Sequence, residues 1–176
     1  MKDLLLTNAI WASNFAVIRV ETAQLVITNE ELFPQLFALA IDSTNENHNK
    51  ACWILEIVLH KRLPLIIDYL PEFCSTLSVF TNDGATRAIA KVCIFISRHL
   101  SLTATQERQI TESCFDWLIT ANKKVATKVY AARALYELGK SIKWIYPELQ
   151  QILIEDYPKH SAAYKAAARE ILKKIK

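Results

Sequence analysis

The chain has 176 residues, of which 52% are hydrophobic, 10% aromatic and 22% charged, the balance of a chain that buries a core rather than staying disordered. Only two glycines, Gly84 and Gly139, are present, too few for the turns of a β-sandwich or for Gly-rich phosphate loops, so the composition points to helices. The net charge of +3 is well short of a nucleic-acid tail or a polybasic membrane anchor.

In chain order, residues 1–13 read as a short capping helix and 14–28 as a further helix. The start Met1-Lys2-Asp3 lacks a long apolar stretch and a small-residue cleavage site, so no secretory signal is expected. Helices are then predicted over 31–41, 47–60, 64–80, 84–99, 106–120, 123–139, 142–156 and 161–175, with no strand signal between them. Polar turns punctuate them at Asp42-Ser43-Thr44-Asn45, Thr81-Asn82-Asp83-Gly84, Ala121-Asn122-Lys123-Lys124 and Asp156 to Ser161, where Asn, Asp and Ser can cap the next helix. The longest nearly apolar run, Ala51 to Leu59, is too short to span a bilayer, so no membrane partner is expected.

The elements repeat. Leu32-Phe33-Pro34-Gln35-Leu36, Tyr69-Leu70-Pro71-Glu72-Phe73 and Ile145-Tyr146-Pro147-Glu148-Leu149 resemble one another. Pro71 lies 37 residues after Pro34 and Pro147 lies 76, twice 38, after Pro71, so a missing copy belongs near Gln109. A second marker keeps step: Lys50-Ala51, Arg87-Ala88, Lys128-Val129 and Lys165-Ala166 each open an apolar run, at spacings of 37, 41 and 37. Each unit reads as an amphipathic first helix with proline near its start, then a second helix apolar almost all round and sandwiched between neighbours.

Leu-Pro, a leucine-rich helix, a turn with Asp or Asn, and a basic residue opening an Ala-rich helix are together similar to the HEAT repeat of the armadillo-like superfamily. The likeness covers about residues 31–176. It implies an all-α, right-handed α-α superhelix (solenoid) of about four HEAT-like helix pairs in a single domain over 1–176, with capping helices at 1–30 and repeats at 31–60, 64–99, 106–139 and 142–175. The third copy departs from the pattern by lacking a proline at 109.

The resemblance also implies that the second helices line a concave face, which would align Lys50, Arg87, Lys128 and Lys165 as a basic stripe. Lys91, Arg133 and Arg169 follow one turn on. A cation near a helix N-terminus opposes the macrodipole and needs compensation. One source is a structural ladder, in which Asp42, Asp83 and Asp156 meet the basic residue of the next copy. The other is an anionic partner, an acidic peptide or a nucleic-acid backbone. Glu56 is the lone acid of its apolar run, and a buried carboxylate needs a cation within reach, with Lys91 or Arg87 as the candidates. Trp53, between Lys50 and Glu56, reads as core or as an aromatic anchor on that face.

The four histidines form no HExxH or i, i+4 ligand pair, and no nucleophile motif is present, so neither a cofactor nor a metal is expected. Cys52, Cys74, Cys93 and Cys114 sit singly in apolar helical runs, which suits reduced core cysteine in a cytoplasmic protein. The function expected is a non-enzymatic scaffold for a protein or acidic peptide, with Lys50, Trp53, Glu56, Arg87, Lys91, Lys128, Arg133, Lys165 and Arg169 as the binding residues. The alternative is a nucleic-acid-binding or DNA-repair-like module using the basic stripe, in the style of the HEAT-like alkylpurine DNA glycosylases. A steep salt dependence would distinguish it.

Overall fold

A computed structural model describes residues 2–175, with side chains from residue 5 onward; Met1 and Lys176, the ends of the expected domain, lie outside the described residues. Ten α-helices and four 3-10 segments, with no strand, make up the described residues. In chain order they are α1 (Lys2–Ala12), α2 (Ala16–Thr28), α3 (Phe33–Ile41), α4 (His48–Lys61), α5 (Leu70–Thr76), α6 (Asp83–His99), α7 (Ala104–Ile119), α8 (Val125–Leu138), α9 (Ile145–Asp156) and α10 (Ala162–Lys174). The all-α expectation holds, and each predicted helix is found within about three residues of its expected ends except one.

That exception is the helix predicted over 64–80. It is a 3-10 segment at Leu63–Tyr69, then α5, then a second 3-10 segment at Leu77–Val79. Pro71 is the reason: its missing N–H and its ring are accommodated only in the first turn of an α-helix, so the helix has to restart there. Pro34 occupies the same first-turn place in α3 and Pro147 is the third residue of α9.

The chain divides into two compact units, Met1–Val92 and Cys93–Lys176, with the division inside α6. In the first unit α4 packs against α1, α2 and α3. Ala51, Cys52, Ile54, Leu55, Val58 and Leu59 are all buried, which is why α4 shows no single apolar stripe. α3 is one-sided, burying Phe33, Leu36, Phe37 and Ala40. Asn82 fulfils the capping expected of its turn: its Oδ1 accepts from the N–H groups of Gly84 and Ala85 at the start of α6. Asp42 instead closes its own turn, accepting from Thr44 N–H and Oγ1.

In the second unit α8 packs against α7, α9 and α10. α7 begins with a capping box, in which Thr103 Oγ1 accepts from Gln106 N–H and Gln106 Oε1 accepts from Thr103 N–H. Alanines at 131, 132 and 134 in α8 and at 167 and 168 in α10 are buried, letting these two helices approach closely. All four cysteines are buried.

Both glycines are clearance positions with ordinary backbone angles. A Cβ on Gly84 would stand 2.9 Å from Trp53 Cζ2, and one on Gly139 would fall inside the van der Waals envelope of the Tyr146 ring.

Candidate functional site

In the first unit, α4 and α6 bring five of the expected residues together. Lys50, Trp53 and Glu56 recur every three residues along α4, which places them on one side of the helix. Glu56 is 7% exposed and is closed by two cations of α6, Arg87 Nη2 at 3.2 Å and Lys91 Nζ at 2.6 Å. Those cations are about one-third exposed, so the pair spans the boundary between core and water. Trp53 is half-buried, and its indole N–H donates to the Gly84 carbonyl at 3.1 Å. The Arg19 guanidinium lies 4.0 Å from the Trp53 ring centroid, while donating to the carbonyls of Ser13 and Asn14. Sequence reasoning passed over Arg19, which lies outside the periodic markers. Its one sequence signal is that it is the only basic residue in α2.

Lys50 reaches a carbonyl, and no ion pair joins it to an acid among the described residues. Its ammonium donates to the Trp11 carbonyl at 2.6 Å, in the last turn of α1. Helix C-termini leave carbonyls without intrahelical partners, and a lysine there satisfies one while complementing the dipole.

In the second unit, Lys128 does the same for α7: its ammonium donates to the Leu118 carbonyl at 2.6 Å. Only 2% of Lys128 is exposed, so it corrects the expected surface set. The fourth residue of α8 points inward, and burial pushes its ammonium below the ordinary lysine value, opposed by the negative charge of Asp156. Arg133 on α8 pairs with Glu170 on α10 at 3.1 Å. Lys165 stands 5.7 Å from the Tyr157 ring centroid, and Arg169 donates to the Tyr157 hydroxyl at 3.1 Å.

Two of the expected turn aspartates make local hydrogen bonds and ion pairs, although the charge of Asp156 also acts on Lys128. Asp42 serves Thr44, and Asp156 pairs with Lys159 and His160. The acids that meet neighbouring second helices are Glu56, Glu137 and Glu170, placed within the helices themselves. Glu137 is buried between Arg98 of α6 and Lys140, with Arg98 Nη2 at 2.9 Å. Burial raises its carboxyl, but the hydrogen bonds and charges of Lys140 and Arg98 outweigh that and hold it below the ordinary value.

A groove of about 580 Å³ runs between α8 and α10, lined by Val125, Ala126, Val129, Tyr130, Ala163 and Ala166, with Arg133 and Glu170 at its edge. No group of three or more His, Cys, Asp or Glu side chains among the described residues is placed to hold a metal ion.

Within each unit, ion pairs link neighbouring second helices. A family model described as a HEAT repeat domain matches residues 7–175. The chain belongs to the HEAT repeat family. No curated protein and no solved structure matches it. For this HEAT repeat chain the pairs α3/α4, α7/α8 and α9/α10 are the plain copies, and the copy ending in α6 has its first helix broken at Pro71. Among the described residues, no helix of the HEAT repeat chain is long and apolar enough to cross a membrane.

Proposed function

We propose that this HEAT repeat chain is a non-enzymatic scaffold that seats a protein segment on its second-helix faces. The groove between α8 and α10 carries the reading: it is floored by small and apolar side chains, with Arg133 and Glu170 supplying paired charge at its rim. A backbone can approach alanine closely, and a rim of fixed charge sets orientation rather than bulk affinity. On α4 and α6, Trp53 with its Arg19 cover, and the Glu56, Arg87 and Lys91 cluster, form a second polar platform.

The nucleic-acid alternative needs positive charge available to phosphate. Arg87, Lys91 and Arg133 each already face a carboxylate, and Lys128 is buried, so the stripe offers less charge than its residue count implies.

Peptides selected by display on the wild-type chain test the reading. Ala166 is exposed, so Ala166→Trp fills the groove without entering the core. Selected peptides are expected to lose binding to that variant, read by fluorescence anisotropy. Peptides indifferent to Ala166→Trp, or saturable retention of duplex DNA that Arg87→Ala weakens, would favour the alternative.

A further inference from the structure

The second unit has another groove, on its first helices rather than its second. Glu107, Thr111, Phe115 and Asp116 of α7 line it, and the connection into α9 brings Ile142 and Trp144 alongside. Together they enclose about 780 Å³, within the size of ordinary ligand clefts (about 300–1,000 Å³). A shallower recess of about 220 Å³ adjoins it, lined by Phe115, Trp144, Glu148 and Ile152.

Three observations point to an occupant. Trp144 is 57% exposed and its ring stacks on Phe115 at 6.0 Å and 19°, giving an aromatic wall that water covers at a cost. Glu107, Glu112, Asp116 and Glu148 surround that wall, while the one lining cation, Arg108, is paired with Glu112 at 3.4 Å. This is an acidic site on a chain of net charge +3. Finally, Thr111 is one of the lining residues, is 2% exposed, and its buried hydroxyl has no hydrogen-bond partner. A buried hydroxyl without a partner is uncommon and marks a place where a ligand polar group fits.

We propose that the groove between α7 and α9 binds an arginine-bearing peptide segment. An arginine side chain matches all three features. Its aliphatic stem lies on Phe115, its guanidinium stacks on the open face of Trp144, and its remaining N–H groups reach the carboxylates of Glu107 or Asp116. Rotation about the Thr111 Cα–Cβ bond would turn its hydroxyl toward the groove, where the peptide backbone supplies a partner. Acidic peptides and nucleic acid are repelled by the same carboxylates. The proposal does not rest on the α8/α10 groove, because the two lie on different helices and respond to different variants.

The test uses the full chain and a fluorescein-labelled peptide of alternating leucine and arginine, with an analogue carrying glutamate for every arginine. Saturable anisotropy with the arginine peptide and none with the glutamate analogue is expected. Trp144→Ala and the pair Glu107→Lys with Asp116→Lys should each weaken binding about tenfold or more. Thr111→Val, which keeps the shape and removes the hydroxyl, should weaken it several-fold. Trp144 and both acids stand at the surface, and thermal melts of each variant confirm folding. On titration, the Trp144 indole N–H resonance, identified as the one missing from Trp144→Phe, should shift. Equal affinity of Trp144→Ala, equal binding of the glutamate analogue, no saturable binding, or loss on Ala166→Trp with Trp144→Ala unaffected would each overturn the proposal. The last of these would seat the peptide between α8 and α10 instead.

Discussion

Gly139 shows how much one hydrogen atom in place of a methyl decides. Tyr146 lies against it, its ring stacked on Tyr136 at 5.9 Å and its hydroxyl donating to the Tyr136 carbonyl at 3.3 Å. A Cβ there must displace a ring held on two sides, so Gly139→Ala is expected to destabilise the chain by about 1–3 kcal/mol, read as a lowered urea midpoint. Lys128 is the second such residue. Its stem is buried and its ammonium satisfies the Leu118 carbonyl, so Lys128→Ala leaves a void and an orphaned acceptor. A loss of about 2–3 kcal/mol is expected in the same measurement. Glu137 contributes to the pH response. Its folded value is below the ordinary 4.5, so its contribution is present above that value and lost as pH falls through the folded value. Glu137→Gln is therefore expected to lower the melting temperature near neutrality and to flatten its fall below about pH 4.5. Arg98 and Lys140 are about half exposed and can be solvated when left alone, so the neutral-pH loss is about 1–2 kcal/mol rather than that of a fully buried pair.

At the scale of elements, ends and crossings matter more than interiors. The capping box at the start of α7 satisfies two groups that the helix cannot. Thr103→Ala is expected to remove about 1 kcal/mol, visible as faster amide exchange in the first turn of α7. Between α4 and α6, Glu56 joins two cations at once. A double-mutant cycle of Glu56→Gln with Arg87→Ala should give a coupling of about 1 kcal/mol, well above an exposed pair; a coupling of zero would make the contact incidental. Three of the cations that open the second helices are answered in two ways, Arg87 by a carboxylate of a neighbouring second helix and Lys50 and Lys128 by a carbonyl at the end of a preceding helix, while Lys165 lies over the Tyr157 ring. Both of those ways remove the penalty of a positive charge near a helix N-terminus.

Across the whole molecule, charge is distributed by surface rather than by net count. The α8/α10 groove has a balanced rim, the α7/α9 groove an acidic one, and much of the periodic positive charge is paired inside the chain. Binding of a selected peptide is therefore expected to change by less than about tenfold between about 50 and about 200 mM salt, where a phosphate-tracking surface would lose about 10³–10⁵ in affinity. Anisotropy over that salt range measures it, and a phosphate-like slope would return the basic stripe to the centre of the function.

The repeat was legible in the sequence because it depends on local chemistry. Prolines fit only where a helix starts, Asn and Asp suit turns, and apolar residues at helical period have to be covered. Pro34, Pro71 and the Lys/Arg markers carried that information without any contact being known. The break at Pro71 was not read: that proline served as a repeat marker, while the helix was expected to run unbroken over 64–80. The partners of Glu56 could be read, since a lone acid in an apolar run admits few solutions. The rest was decided in three dimensions. Lys50 and Lys128 share a sequence position type with Arg87, yet two reach helix-end carbonyls and one a carboxylate, a choice set by which group the packing brings within 3 Å or so. The Phe115 and Trp144 wall, its ring of acids and the orphaned Thr111 hydroxyl join residues from two helices and a connection. A sequence states what each residue can do, and only the packed chain states which residues do it together.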